Sequence, residues 1–389
     1  MSFEMIFWGA LSVLFYTYLG YGLIIAIWAR AKSSSDTTGP TMDEQDLPSV
    51  TLLIAAYNEK DILASKAENI DALIYPSDKL DILFVTDGST DGTPEWLRSN
   101  TTYRVMHASG RKGKTAALNR AMKAIASDIV VFTDANTLLH PESIRRLVQP
   151  YSDTTVGAVS GEKRVGLKDT RKAHGAGEGL YWRYESKLKD LDYKVHTVVG
   201  AAGELFSVRR SLYEPVAEDV ILDDFMITLG IVEKGYRVAY VKEAYALEAP
   251  SASLAEEMKR KVRICAGGFQ SMVRLKGLLN PVRQPVAWFQ YVSHRVLRWA
   301  VAPFMLPVFF VANLALIPQH PVYLLLALGH VLFYAMALYG WVTRDRNARK
   351  GWLFTPLYFV MMNVAAYLGL WRSIRGTQSA AWVRSVRAA

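Results

Sequence analysis

The sequence predicts an α/β domain with a mostly parallel sheet and flanking helices, carried by about four transmembrane helices. Two observations support this. Between residues 49 and 133 short apolar runs alternate with segments of helical spacing, and three long stretches elsewhere hold no charged residue. Strands that alternate with helices form parallel sheets covered on both faces. Hydrophobic residues make up 51% and charged residues 21%, which excludes a disordered or collagen-like chain. The single cysteine, Cys265, excludes a disulfide scaffold and accords with a cytoplasmic working face.

The uncharged stretches run from Met5 to Ala29, Trp299 to Thr343 and Gly351 to Trp371, the second broken by Ile317-Pro318-Gln319-His320-Pro321. A bilayer takes about 20 apolar residues to cross, so spans are expected at 5–28, 299–317, 322–343 and 352–371. The first is a retained anchor, residues 1–30, because Met1-Ser2-Phe3-Glu4 lacks the positive charge of a signal peptide. A polar linker follows at 31–46 and a soluble domain at 47–280. Residues 281–298 mix Trp288, Phe289 and Tyr291 with Arg283, Arg295 and Arg298, the composition of an interfacial segment. A membrane region at 299–375 and a basic tail at 376–389 complete the chain.

Lys and Arg beside the spans set orientation. Arg30, Lys32, Arg295, Arg298, Arg344, Arg346, Arg349 and Lys350 all place the soluble domain in the cytoplasm of a cell-membrane protein. Arg372, Arg375, Arg384 and Arg387 ask for the same side, whereas four full crossings would put the tail outside. Either the tail is external or one segment is re-entrant or interfacial. The net charge, 45 − 36 = +9, is thus largely membrane-flanking and suited to anionic lipids. No nucleic-acid-binding module accompanies it, so no such partner is expected.

In the soluble domain, Ser49–Ala56, Ile82–Val85 and 129–133 are expected strands, while Asp61–Leu73 and Lys114–Ala126 are expected helices. Parallel sheets bind ligands at the carboxyl ends of their strands. There the chain places Tyr57-Asn58-Glu59, Asp87-Gly88-Ser89-Thr90-Asp91-Gly92-Thr93 and Asp134-Ala135-Asn136. One such cluster is ordinary turn chemistry; three at successive strand ends suggest a site. Gly110-Arg111-Lys112-Gly113-Lys114-Thr115 fails as a Walker A loop because position 108 is alanine. Two readings remain for it, a diphosphate site before a helix N-terminus or a solvated basic turn.

These motifs together resemble the membrane-bound family 2 glycosyltransferases, the group of hyaluronan, cellulose and poly-N-acetylglucosamine synthases. The resemblance runs in order through Tyr57-Asn58-Glu59, Thr86-Asp87-Gly88-Ser89-Thr90-Asp91, Gly113-Lys114-Thr115-Ala116-Ala117-Leu118-Asn119, Asp134-Ala135-Asn136 and Asp223-Asp224. It implies a GT-A type, Rossmann-like domain and an inverting sugar transfer from a nucleotide-diphosphate sugar, with uridine favoured. Three positions depart from the family pattern. Thr86 stands for the first Asp of the nucleotide motif, Asn136 for the second metal-motif acid, and Arg260-Lys261-Val262-Arg263-Ile264 for Gln-x-x-Arg-Trp. Ile264 lacks the aromatic platform of the processive enzymes, for which Trp182 or Phe269 are the stand-ins.

The chemistry then assigns roles. Tyr57, Glu59 and Asp87 are expected to meet the base and ribose. Lys114, Arg111 and Arg263 are expected to meet the diphosphate, beside Mg2+ or Mn2+ on Asp134 and Asn136. Asp224 is the expected general base, with Asp223 raising its pKa or orienting the loop. Alone, that acidic pair could equally cap the helix expected at Phe225–Glu233. Tyr181-Trp182-Arg183-Tyr184-Glu185 suits an acceptor site or core packing, and Gly200-Ala201-Ala202-Gly203 resembles the loop beneath the acceptor, with Glu204 after it. A glycan or polyprenyl-linked acceptor is expected, with a homo-oligomer or export partner as further options. Thr86 and Asn136 keep one alternative open, a transferase-like scaffold or export subunit without catalysis.

Overall fold

The computed structural model describes residues 2–32, 42–166, 174–343 and 351–381, with side chains left aside at 174–181 and 351–354. Most of the linker (33–41), Arg344, Arg346, Arg349, Lys350, Arg384 and Arg387 therefore lie outside the described residues, as do the side chains of His174 and Tyr181.

Among the described residues eight strands form one sheet: β1 (Val50–Ala56), β2 (Leu80–Asp87), β3 (Arg104–Ala108), β4 (Ile129–Asp134), β5 (Thr137–Leu139), β6 (Val156–Val165), β7 (Leu205–Arg209) and β8 (Arg237–Glu248). Their order is β3-β2-β1-β4-β7-β6-β8-β5. The first four in this order pair in parallel, as the alternating pattern predicts. Beyond β4 the sheet turns mixed, because β7 runs antiparallel to both β4 and β6. Strand β1 is buried along its whole length, so neither face carries a polar alternation. Leu53 and Ala55 pack on one face with Leu118, Phe132 and Phe206, and Leu52 and Ile54 on the other with Leu63, Ile70 and Phe84. Phe132 stacks on its cross-strand partner Phe206 at 4.6 Å, tying the parallel half to the antiparallel half. Register places Ala56 beside Thr86 and Ala55 beside Asp134, so the three motif-bearing strand ends open at one edge.

Among the described residues four helices are long and apolar enough to cross a membrane: Phe3–Lys32, Pro285–Leu316, Pro321–Val342 and Thr355–Arg375. The expected interfacial segment and second span form one continuous helix from Pro285, which is π-helical over Val292–Val301. The last helix, Gly351–Arg375, lies along the domain helix Leu254–Arg274. Leu357, Tyr358 and Met361 pack on Leu254, and Ala365 and Ala366 pack on Val262 and Cys265. It also packs on the other apolar helices, with Phe359 against Phe333 and Tyr367 against Phe304, and leaves Val364, Leu368, Trp371 and Ile374 exposed, an apolar stripe at helical spacing. Beyond it the chain returns to the domain, with Ala381 Cα 3.7 Å from the place a Cβ on Gly113 would take.

Small residues make this docking possible. A Cβ on Gly369 would lie 2.5 Å from Cys265 Cβ and 2.8 Å from the Ala266 amide nitrogen. Gly369→Ala is therefore expected to cost about 1–3 kcal/mol through overpacking, seen as a lower thermal midpoint in detergent. Gly329→Ala, which has open space around it, should leave the midpoint in place.

Candidate active site

Part of the motif sequence is scaffolding. Asn58, at φ 54, is the one non-glycine residue at positive φ among the described residues, and its Oδ1 accepts from the Thr90 amide at 2.9 Å. Asp91 accepts from the Thr93 and Lys60 amides and so closes the turn before helix Thr93–Asn100. Asp87 does more. Its Oδ2 accepts from the amides of Lys112 (2.7 Å) and Gly113 (2.6 Å), bending the basic loop over the end of β2. Gly88, at φ 69, must be small because a Cβ there would lie 2.8 Å from Arg111 Cβ. Arg111 in turn lies 4.0 Å over the Tyr57 ring. The result is a cleft lined by Tyr57, Asp87, Arg111, Gly113 and Lys114.

At the cleft floor the Lys114 ammonium lies 2.9 Å from Asp134 Oδ1 and 3.3 Å from Asp223 Oδ2. Burial alone would lower its pKa. Asp134, Asp223 and Asp224 overcome that and hold the ammonium above its ordinary value. Asp223 and Asp224 open helix Asp223–Glu233, whose N-cap is Leu222 without a side-chain cap; Asp224 Oδ1 accepts from the adjacent Phe225 amide. Burial, and then the neighbouring Asp223, push the Asp224 carboxyl up to about 7. A loop at 200–203 closes over it: Thr228 Oγ1 donates to the Asp224 carbonyl and accepts from the Ala201 amide. Gly203 leaves room for the carboxylate, since a Cβ would sit 2.9 Å from Asp224 Oδ2.

Asn136 Oδ1 is buried without a hydrogen-bond partner, two residues after the Asp134 carboxylate. Two hard oxygens of this kind suit Mg2+ or Mn2+. No trio of His, Cys, Asp or Glu among the described residues makes a closed cage, so diphosphate oxygens would have to complete the shell.

The remaining expected residues lie around this centre. Glu59 is buried, with its amide donating to Thr93 Oγ1. Arg263 donates to the Ile221 carbonyl, two residues before Asp223. Glu204 accepts from Lys163 at 2.6 Å, and Lys163 and Lys261 lie 5.1 Å and 5.6 Å from the Trp182 ring. Phe269 belongs to the core. Sequence reasoning missed Lys66, whose ammonium donates to the carbonyls of Asp134 (3.2 Å) and Thr137 (2.7 Å) from beneath the metal motif. Burial lowers its pKa to about 7. The signal was present, because Lys66 shares the buried face of its helix with Leu63 and Ile70.

Residues 51–216 match the family model for glycosyl transferase family 2. That stretch is similar to the family 2 glycosyltransferases. The match covers the motifs at the ends of β1, β2 and β4 and stops just short of Asp223 and Asp224. Among the relatives of this chain is a poly-beta-1,6-N-acetyl-D-glucosamine synthase of Staphylococcus aureus. It is 26% identical over 264 residues, covering 65% of this chain and 62% of the relative. The chain thus matches less than two thirds of that relative's length. A beta-monoglucosyldiacylglycerol synthase of Nostoc sp. is 25% identical over 248 residues, covering 59% of this chain and 50% of the relative. The fold is that of a mannosyltransferase from Pyrobaculum calidifontis, solved with GDP-Man and Mn2+. That structure is 24% identical, with a TM-score of 0.75 over 96% of this chain and 99% of that one. The likeness confirms the GT-A-like sheet with its flanking and apolar helices.

Replacing Lys114 by Met should leave Asp134 and Asp223 facing each other without their cation. Breaking a largely buried pair in this way costs about 3 kcal/mol, so the variant should melt earlier than wild type in detergent at neutral pH.

Proposed function

We propose that this protein is a membrane-bound inverting glycosyltransferase. It moves a hexosyl or N-acetylhexosaminyl group from a nucleoside-diphosphate sugar to a glycan or lipid-linked acceptor, in the synthesis of a surface polysaccharide or glycolipid. One observation carries the reading: the basic loop suited to a diphosphate ends in Lys114, whose ammonium pairs with Asp134 and Asp223, and Asp223 adjoins Asp224, the carboxyl with the raised pKa.

Arg111 and Lys114 receive the charge that develops as the diphosphate departs with the electron pair of the sugar–oxygen bond. Asp224 takes the proton of the acceptor hydroxyl while that oxygen bonds to the anomeric carbon from the opposite face. One displacement with one base inverts the anomeric centre. Asp134 and Asn136 would hold Mg2+ or Mn2+, which when bound supplies further neutralising charge for the diphosphate. Tyr57 and Asp87 line the space for the nucleoside. The resemblance favours uridine, while the matching mannosyltransferase holds a guanosine donor, so both belong in a donor screen.

The placement of the last helix supports three crossings and one docked helix. Lys32, at the end of the first helix, donates to the Val195 carbonyl of the domain, and the tail returns to Gly113. A helix with one face on the domain and an exposed apolar stripe is suited to the membrane surface. The domain and tail then share the cytoplasmic side, which accounts for Arg372 and Arg375. Gln378→Cys checks this directly, because the native Cys265 is buried. An impermeant maleimide should label position 378 in inside-out vesicles and not in intact cells.

Asp224→Asn should cut turnover by roughly 10²- to 10⁴-fold while nucleotide binding persists. The scaffold reading instead requires no turnover in wild type either. The base works only as the carboxylate, and its pKa is raised, so kcat should climb with pH through about 7. A kcat that is flat from pH 5 to 8 would remove Asp224 as the base.

A further inference from the structure

The helix Pro285–Leu316 reaches from the membrane region into the domain, and its π-helical stretch carries Arg295 and Trp299. π-helical turns inside longer helices occur frequently at functional sites. Arg295 Nε donates to the Val199 carbonyl at 2.8 Å, while its Nη2 pairs with buried Glu185 at 2.7 Å. Glu185 also receives Arg298 at 3.0 Å, and His294 sits between Glu185 and Asp192. The guanidinium of Arg295 is thus fixed from behind before it reaches the backbone of Val199.

Val199 precedes the loop that closes over Asp224. Gly200, at φ 102, has no room for a Cβ, which would lie 2.4 Å from Phe225 Cδ2. Ala201 reaches the Asp224 carbonyl through Thr228, and Gly203 faces the Asp224 carboxylate. A second route converges from Trp299. Its ring lies 5.5 Å from that of Phe225, the residue after Asp224, and is seated against Gly268, where a Cβ would lie 2.5 Å from Trp299 Cε3. The donor side is built elsewhere, from β1, β2 and helix Lys114–Met122.

We infer that Arg295 and Trp299 are positioning residues for Asp224, so that the seating of a membrane helix sets the acceptor side of the site. This rests on the reading of Asp224 as the base. Arg295 holds the backbone of the loop that packs on the carboxylate, and Trp299 holds the first turn of the helix that carries it. Neither touches the donor, so their loss should separate binding from turnover. Plain anchoring of the domain would move both.

The test uses the full-length protein in nanodiscs, as wild type, Arg295→Lys and Trp299→Phe. Lysine keeps a cation for Glu185 but cannot hold both partners in Arg295's fixed fork. Trp299→Phe keeps an aromatic ring and carries the test should the lysine variant fold poorly. Three readouts are taken: hydrogen exchange of residues 199–204, affinity for UDP and for GDP with MnCl₂, and kcat and KM for the donor. The expected result is faster exchange at 199–204, unchanged nucleotide affinity and donor KM, and a fall in kcat of about 10- to 100-fold. Unchanged exchange and kcat in both variants overturns the inference, as does a parallel loss of kcat and nucleotide affinity. If wild type releases no nucleoside diphosphate from any donor, the reading of function fails separately, and the exchange result alone decides whether the two residues hold the loop.

Discussion

The ammonium of Lys114 joins groups that arrive from opposite halves of the sheet. Asp134 comes from the end of β4, and Asp223 from the start of a helix nearly a hundred residues later. Without a cation these carboxylates would repel one another in a poorly solvated cleft. With it they stand together, and the backbone around them is free to specialise. Asp87 folds the basic loop over β2, Lys66 ties down the Asp134 turn from below, and Asp224 is left on the far side of Asp223 with its proton affinity raised. A diphosphate entering this cleft would meet Lys114 already oriented by acids, a preorganised charge with little left to rearrange.

Packing gives this charge arrangement its rigidity. The Phe132–Phe206 stack joins the parallel and antiparallel halves two residues before Asp134. The helix Leu254–Arg274 passes Arg263 behind Asp223 and offers its outer side to the last apolar helix. Two elements from the membrane region therefore bear on the site, one through the loop at 199–203 and one through this domain helix. The apolar helices serve as part of the domain's support as well as its anchor.

The strand ends were legible because β1, β2 and β4 are apolar on both faces and stop at polar residues, as in Ala56-Tyr57 and Thr133-Asp134. The second half of the sheet was not. In β8 charged and apolar residues mix along twelve positions, since part of it runs along an exposed edge. Thr86 looked like a lost acid, yet its Oγ1 pairs with His107 Nδ1 at 2.8 Å across two strands, a contact that no local pattern encodes. The last helix was visible as an apolar run. What the run did not reveal is the small-residue face of Ala365, Ala366 and Gly369 against Cys265, which gains meaning only once its partner is known.

The most direct measurement is the stereochemistry of transfer. Purified protein in nanodiscs is given Mn2+, a panel of uridine and guanosine sugars and membrane-derived acceptor, and the anomeric configuration of the product is read by NMR. The account predicts release of nucleoside diphosphate from one donor and a product of inverted configuration. A product of retained configuration would contradict it, because one base at Asp224 and a single displacement cannot yield it.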